Sequence, residues 1–252
     1  MNQILSKRSG LTEVLKVNSN KVFHSFFFDN SLKIYKETLK LKNDFGSVLA
    51  LGANHIEAEE LTKYPFNKIV LSGITPPDEI TKKITKKDKR VSYKEVNMEK
   101  IPFEESSFDL VFVKEAIHHV PRPVQALYEC LRVSKKVVIF IEPNETFLGN
   151  FLEKLNLTSR YEKNIVGNTK FRDNYVYRWR QKDIVKLLNS YFLESGYKAI
   201  FSYCWMSNRA NTKFKSLIKI FNFFGWLASF IPFSRGNYLT CVIFEGKDKP
   251  KN

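Results

Sequence analysis

Cysteine is scarce in this chain of 252 residues: Cys130, Cys204 and Cys241 are odd in number, far apart and without metal-ligand spacing. Neither a disulfide framework nor a zinc site is therefore suggested, and a reducing cytoplasm is the expected compartment. An export signal is not expected either, because MNQILSKRSGLTEVLK has no sustained apolar region followed by a small-residue cleavage site. Long hydrophobic runs are also missing. The most apolar segment, Lys213 to Phe233, reads KFKSLIKIFNFFGWLASFIPF, and its uncharged part from Ile220 to Phe233 has 14 residues. A bilayer-spanning helix needs roughly 20. The segment reads instead as a buried helix before the last strand or, with Lys213, Lys215 and Lys219 at its start, as a peripheral contact with an anionic membrane. Acid is in short supply, with 26 Asp and Glu against 41 Lys and Arg and a net charge of +15. Such a balance invites polyanions. The densest run, Lys82, Lys83, Lys86, Lys87, Lys89 and Arg90, nevertheless follows Thr75-Pro76-Pro77-Asp78-Glu79, a helix start, so its lysines fall toward a helix C-terminus where the dipole favours them. With no recognisable RNA-binding module, a nucleic-acid partner is not expected.

What the chain does have is a composition that is 43% hydrophobic, enough for a proper core. Short β-branched runs alternate with helix-like stretches from residue 47 onward, the pattern of a parallel sheet with crossover helices. The predicted strands are Ser47–Leu51, Lys68–Ser72, Val91–Val96, Leu110–Val113 and Val137–Ile141. Helices are expected at Ile56–Lys63, Thr75–Lys86, Lys114–His119 and Pro123–Val133, with an amphipathic helix at Ser31–Lys42 ahead of the first strand. After Ile141 the alternation lapses; a helix returns at Gln181–Glu194, and two late strands follow at Tyr197–Tyr203 and Leu239–Phe244. The organisation is a helical cap over 1–45, a core over 46–143, an insertion or lid over 144–180, and a C-terminal part over 181–252 that completes the same domain.

Residues Val96 to Val120, VNMEKIPFEESSFDLVFVKEAIHHV, carry the functional signal. A polar turn at Asn97, Met98 and Glu99 leads into Ile101-Pro102-Phe103; Phe108-Asp109 then opens a strand, and His118-His119 follows it. In this order and spacing the stretch resembles the class I S-adenosylmethionine-dependent methyltransferases, in particular the type 11 branch that methylates small molecules and glycans. The resemblance implies a doubly wound, mostly parallel seven-stranded sheet with helices on both faces, and S-adenosylmethionine as the cofactor. Open sheets of this kind bind ligands at the carboxyl ends of their strands.

Carried onto this sequence, the resemblance places the methyl donor over Gly52, Asn54, Gly73 and Val113, with Asn97 and Met98 at its adenine. The family's first loop is an acid, one residue, then Gly-x-Gly-x-Gly; here it is Ala50-Leu51-Gly52-Ala53-Asn54-His55-Ile56, and only Gly52 matches. Asn54 tolerates a left-handed backbone better than most residues. Gly73 stands where the family has an acid for the ribose hydroxyls, a loss for which Ser72 or Glu57 are the substitutes in reach. His118 and His119 are the candidate bases, because an imidazole titrates near neutrality and an attacking hydroxyl must lose its proton. Glu142, at the end of the fifth strand, is a second base or positioning residue. Tyr161, Tyr175, Tyr177, Arg178 and Trp179 are candidates for an acceptor pocket. The expected activity is O-methylation of a small molecule or surface glycan. The competing reading, favoured by Ala50, Asn54, Ile56 and Gly73, is a methyltransferase-like protein that has lost donor binding and serves as a partner or scaffold.

Overall fold

The computed structural model describes residues 4–8, 20–156, 161–163, 173–191, 196–205, 215–228, 230 and 236–245. In chain order the strands are β1 (Ile4–Arg8), β2 (Ser47–Leu51), β3 (Lys68–Gly73), β4 (Val91–Glu95), β5 (Phe108–Lys114), β6 (Ser134–Pro143), β7 (Tyr161–Lys163), β8 (Asp173–Tyr175), β9 (Tyr197–Cys204) and β10 (Tyr238–Glu245). The helices are α1 (Asn20–Leu39), α2 (His55–Leu61), α3 (Glu79–Lys87), α4 (Pro123–Val133), α5 (Phe147–Lys154), α6 (Gln181–Tyr191) and α7 (Lys215–Ala228). One sheet runs in the order β1-β9-β10-β6-β5-β2-β3-β4, and β7 pairs only with β8. β10 is antiparallel to both of its neighbours, while every other pairing in the large sheet is parallel. Among the described residues it is therefore the one reversed strand of that sheet.

The expected seven strands are all present, and an eighth is added. β1 lies parallel to β9 at the sheet edge, in a stretch read from sequence as part of a helical cap. The helix of that cap is longer than its predicted 31–42 span and begins at Asn20. Three successive phenylalanines, Phe26 to Phe28, blur the 3.6-residue period at its start, yet Phe23, Phe27, Phe28, Leu32 and Tyr35 all face inward. Other boundaries shift for local reasons. α3 starts at Glu79 rather than Thr75 because Asp78 is the cap, its Oδ1 accepting from Thr81 N at 2.8 Å. Lys114 closes β5 instead of opening a helix, and only Ile117–His119 form a turn of 3₁₀-helix.

Each face of the sheet buries its own core. On one, Phe28 stacks on Phe112 with centroids 4.7 Å apart, so α1 covers the middle of the sheet. On the other, α4 and α6 pack with Phe140 and Trp179, whose rings are 5.5 Å apart. Strands buried on both faces read as near-continuous apolar runs, as FDLVFVK does.

Candidate functional site

The site begins where β2 ends. Gly52 has φ +66, a left-handed conformation that costs an L-residue about 1–2 kcal/mol. A Cβ placed on it would stand 2.3 Å from the Cβ of Ala116 and 3.6 Å from Cε of Met98. Absence of a side chain thus lets two other strand-end segments close on one spot. Asn54 does not take the left-handed backbone foreseen for it; with φ −127 it is extended and caps α2, its Oδ1 accepting from Ile56 N at 2.8 Å. Glu57 closes that capping box by accepting from Asn54 N at 3.0 Å. Burial raises the Glu57 carboxyl above its ordinary range. Asn54 and Glu57 therefore satisfy the N-terminus of α2 with their own side chains.

The second strand end departs in a different way. A Cβ on Gly73 would lie 2.6 Å from the hydroxyl of Tyr93, which reaches across from β4 and donates to Thr75 O at 2.7 Å. Ser72 and Glu57 do not serve as the anticipated substitutes: Ser72 is buried and donates to Ala50 O at 3.3 Å, and Glu57 is held in its cap. Tyr93 was missed from sequence. Its signal was a lone aromatic in VSYKE, two positions before the strand end, on the same side of the sheet as Gly73.

The third loop is pinned from below. Arg132 on α4 donates to Phe103 O at 2.9 Å and Ile101 O at 2.8 Å, while Glu129 accepts from Ile101 N at 2.8 Å. Glu99 binds Arg122. Above this staple Asn97 is exposed, its Oδ1 accepting from Glu99 N at 2.9 Å, and Met98 is buried toward Gly52. The Phe-Asp of the motif serves the opposite end of the sheet. Asp109 accepts from Ser47 N and Oγ at 2.9 Å each and pairs with Lys136, tying the start of β5 to the start of β2.

Glu142 is no exposed strand-end carboxylate. It is 0% exposed; Oε1 accepts from Ala116 N and Ile117 N at 3.0 Å each, and Oε2 pairs with Nδ1 of His118. It fixes the turn that touches Gly52. His118 is itself buried at 3% exposure, whereas His119 is half-buried and lies with its ring centroid 4.0 Å away. Ahead of them, across Ala116 and Ile117, stand two residues not foreseen. Glu115 has φ +49, unusual for a non-glycine residue. Burial would raise its carboxyl, but Lys114 and the Tyr238 hydroxyl, 2.7 Å from Oε1, hold it below the ordinary range. Lys114 is buried, with its ammonium 5.8 Å from the Phe23 ring. Burial and then Lys114 push the nearby His24 imidazole down to about 4. A Lys-Glu pair at the end of an apolar strand was the available clue.

Gly52, Met98, Ala116, Glu142 and His118 thus form one connected set, with Asn97 beside Met98 and Gly73 one strand further. Val113 does not join it: 0% exposed between β2 and β6, it is core. Trp179 is also core and Tyr177 packs on it at 5.0 Å, while Tyr161 pairs with Tyr175 on the two-stranded sheet, whose β8 lies against the histidine turn.

Residues 51–141 match the family model described as a methyltransferase domain, Methyltransf_11. The fold is shared with the YcgJ protein from Bacillus subtilis, at 14% identity, 87% of this chain, 100% of that one and a TM-score of 0.53. It is shared with a chain in the complex of the Haloferax volcanii Trm112 methyltransferase activator and a putative methyltransferase, at 12% identity, 86% and 93% coverage and a TM-score of 0.52. A third likeness is to the DhpI–SAM–HEP complex, at 14% identity, 86% of each chain and a TM-score of 0.50. Among curated proteins no sequence matches this chain. At such identities the structural likeness is one of fold, and the sequence match supplies the rest. The sequence match thus identifies residues 51–141 as a methyltransferase domain of the type 11 branch, and the strand order, with its single reversed strand among the described residues, is the fold these structures share.

Proposed function

We propose that this protein binds S-adenosylmethionine at the carboxyl ends of β2, β3 and β4 and methylates an oxygen of a small molecule or glycan. The observation that carries the reading is the junction at Gly52, where the donor shelf and the histidine turn meet within one van der Waals contact. The residues present suit the donor. Met98 offers an apolar contact and Asn97 an exposed amide for adenine, and Gly52 lets a ligand approach the backbone. The Tyr93 hydroxyl, donating to Thr75, keeps a lone pair for a ribose hydroxyl in place of the missing acid. DhpI, of the same fold, is seen as a complex with SAM.

When bound, S-adenosylmethionine would supply a methyl carbon on a positively charged sulfur, which an oxygen can attack in line as the C–S bond breaks and S-adenosylhomocysteine leaves. The chain's task is alignment and proton removal. Glu142 anchors Nδ1 of His118, which fixes the orientation of the imidazole and sets a negative charge beside it. Glu142 is a positioning residue in this scheme, with two backbone N–H groups fixing its own orientation. His119, less buried, forms the wall the acceptor meets.

Titration calorimetry with S-adenosylhomocysteine tests the reading. Micromolar binding, weakened about three- to tenfold in Asn97→Ala by loss of one hydrogen bond, supports it. No binding at millimolar ligand refutes it and favours a fold that has lost its donor.

A further inference from the structure

Methyl transfer leaves one surface unexplained. On α7, Ile220, Phe223, Phe224 and Leu227 are 40% to 60% exposed, spaced by three and four so that they share one stripe. The opposite side of the helix buries Asn222, and Gly225 sits against Trp205, where a Cβ would come within 2.6 Å of the indole's own Cβ. α7 therefore sets Asn222 and Gly225 toward the protein and turns Ile220, Phe223, Phe224 and Leu227 outward, an apolar stripe that core burial would not leave exposed. α5 repeats the pattern, with Phe147, Phe151 and Leu155 exposed at spacings of four.

Topology sets both helices at the end of the sheet that carries Gly52 and Asn97. α5 follows the carboxyl end of β6; α7 lies between the carboxyl end of β9 and the start of β10, the reversed strand. Asn144 ties the two connections together, donating from N to Asn237 O at 2.8 Å and from Nδ2 to Gly236 O at 2.7 Å. Charge then selects the occupant. From Ser195 to Phe244 the sequence contains no Asp or Glu, while it holds Lys198, Arg209, Lys213, Lys215, Lys219 and Arg235. A second copy would set cations against cations in a self-complementary contact. An anionic bilayer accepts both the apolar stripe and the cations. Among the described residues no helix is long and apolar enough to cross a membrane, so the contact lies in the plane of the surface.

We propose that α7, with the α5 stripe at the same end of the sheet, docks the protein on an anionic lipid bilayer and turns the strand-end site toward it. Resting on the methyltransferase reading, the corollary is that the acceptor is a lipid or is carried by one.

The test is sedimentation of the full chain with vesicles of phosphatidylcholine alone and of phosphatidylcholine mixed with phosphatidylglycerol. Wild type should pellet with the anionic vesicles, less as salt rises, and little with the neutral ones. Phe223→Ser combined with Phe224→Ser should lower the partition by more than about tenfold, from the apolar area withdrawn. Ile80→Ser, on α3 and also exposed, should leave it unchanged. Absence of pelleting, or equal partition of wild type and the double variant, overturns the proposal. So does a dimer in light scattering that the double variant dissociates while vesicle binding persists. Calorimetry with S-adenosylhomocysteine on the same preparations separates the two readings: intact donor binding without pelleting sinks the docking alone, and pelleting without donor binding sinks the enzyme alone.

Discussion

Replacing Gly52 by alanine should destabilise the protein through Ala116, and the size of the effect can be worked from the structure. The left-handed φ of +66 costs an alanine about 1–2 kcal/mol. The new methyl would also start 2.3 Å from the Ala116 Cβ, and overpacking of this kind costs about 1–3 kcal/mol. Gly52→Ala alone should therefore lose about 2–5 kcal/mol in urea unfolding. Ala116→Gly alone should lose about 1–2 kcal/mol, from a buried methyl and a freer unfolded chain. In the double variant the clash is gone and only the backbone strain remains, so Gly52→Ala should cost about 1–3 kcal/mol less there than in the wild type. That difference is the coupling read by a double-mutant cycle. A coupling below about 0.5 kcal/mol would refute the claim that Gly52 is small in order to admit the histidine turn. The same pair informs function, because a rebuilt junction that folds but no longer binds S-adenosylhomocysteine separates packing from ligand approach.

Tyr93→Phe removes the hydroxyl over Gly73 and should weaken S-adenosylhomocysteine about three- to tenfold by calorimetry, with little change in urea midpoint because that hydroxyl is exposed; unchanged affinity would remove Tyr93 from the site. His24 titrates near 6.5 when unfolded and at about 4 when folded, so the unfolded chain holds more protons between those values. Stability should be full above pH 6.5 and fall as pH drops toward 4, by about 1–2 kcal/mol once partial exposure is allowed for, and His24→Asn should flatten that part of the pH profile. Glu57 runs the other way. Its raised carboxyl keeps a proton that the unfolded chain releases, so its contribution is present below its ordinary value of 4.5 and is lost as pH rises through the raised one. Glu57→Gln keeps an acceptor for Asn54 N and should gain stability at pH 8 relative to pH 5 in thermal unfolding; an equal change at both would contradict the burial argument.

The centre of the sheet was readable because a strand buried on both faces has no choice of residue type. β2 and α4 fall on their predicted residues, and β5 and β6 extend theirs by one to three residues at each end. β1 was not readable. A short edge strand need satisfy only one neighbour, and ILSKR carries no alternation that demands a sheet. The site divides in the same way. Asn97, Met98 and the histidine pair could be singled out because they recur in fixed order and spacing around β5. Tyr93 and the partners of Glu142 were not, since a hydroxyl reaching across from the next strand and a carboxylate gathering backbone N–H groups depend on register. Asn54 shows the remaining difficulty: one residue type serves equally as a left-handed turn and as a helix cap, and only the neighbouring Glu57 decides.

β1 also gives the molecule a history in time. Ile4 is paired with Ala199, so the two partners are separated by 199 minus 4, or 195, residues of chain. At a synthesis rate of about 5–20 residues per second, the N-terminal strand waits about 10–40 s for the strand it will join. During that interval the rest of the sheet can assemble around β2, β3, β4 and β5, whose partners lie closer in sequence, and β1 arrives as the last plank. Until it does, β9 presents an open row of backbone donors and acceptors to any other nascent chain. Expression at high density, or a bulky tag ahead of Ile4 that delays its docking, should therefore favour aggregation through β9, although neither touches the strand-end cluster at Gly52.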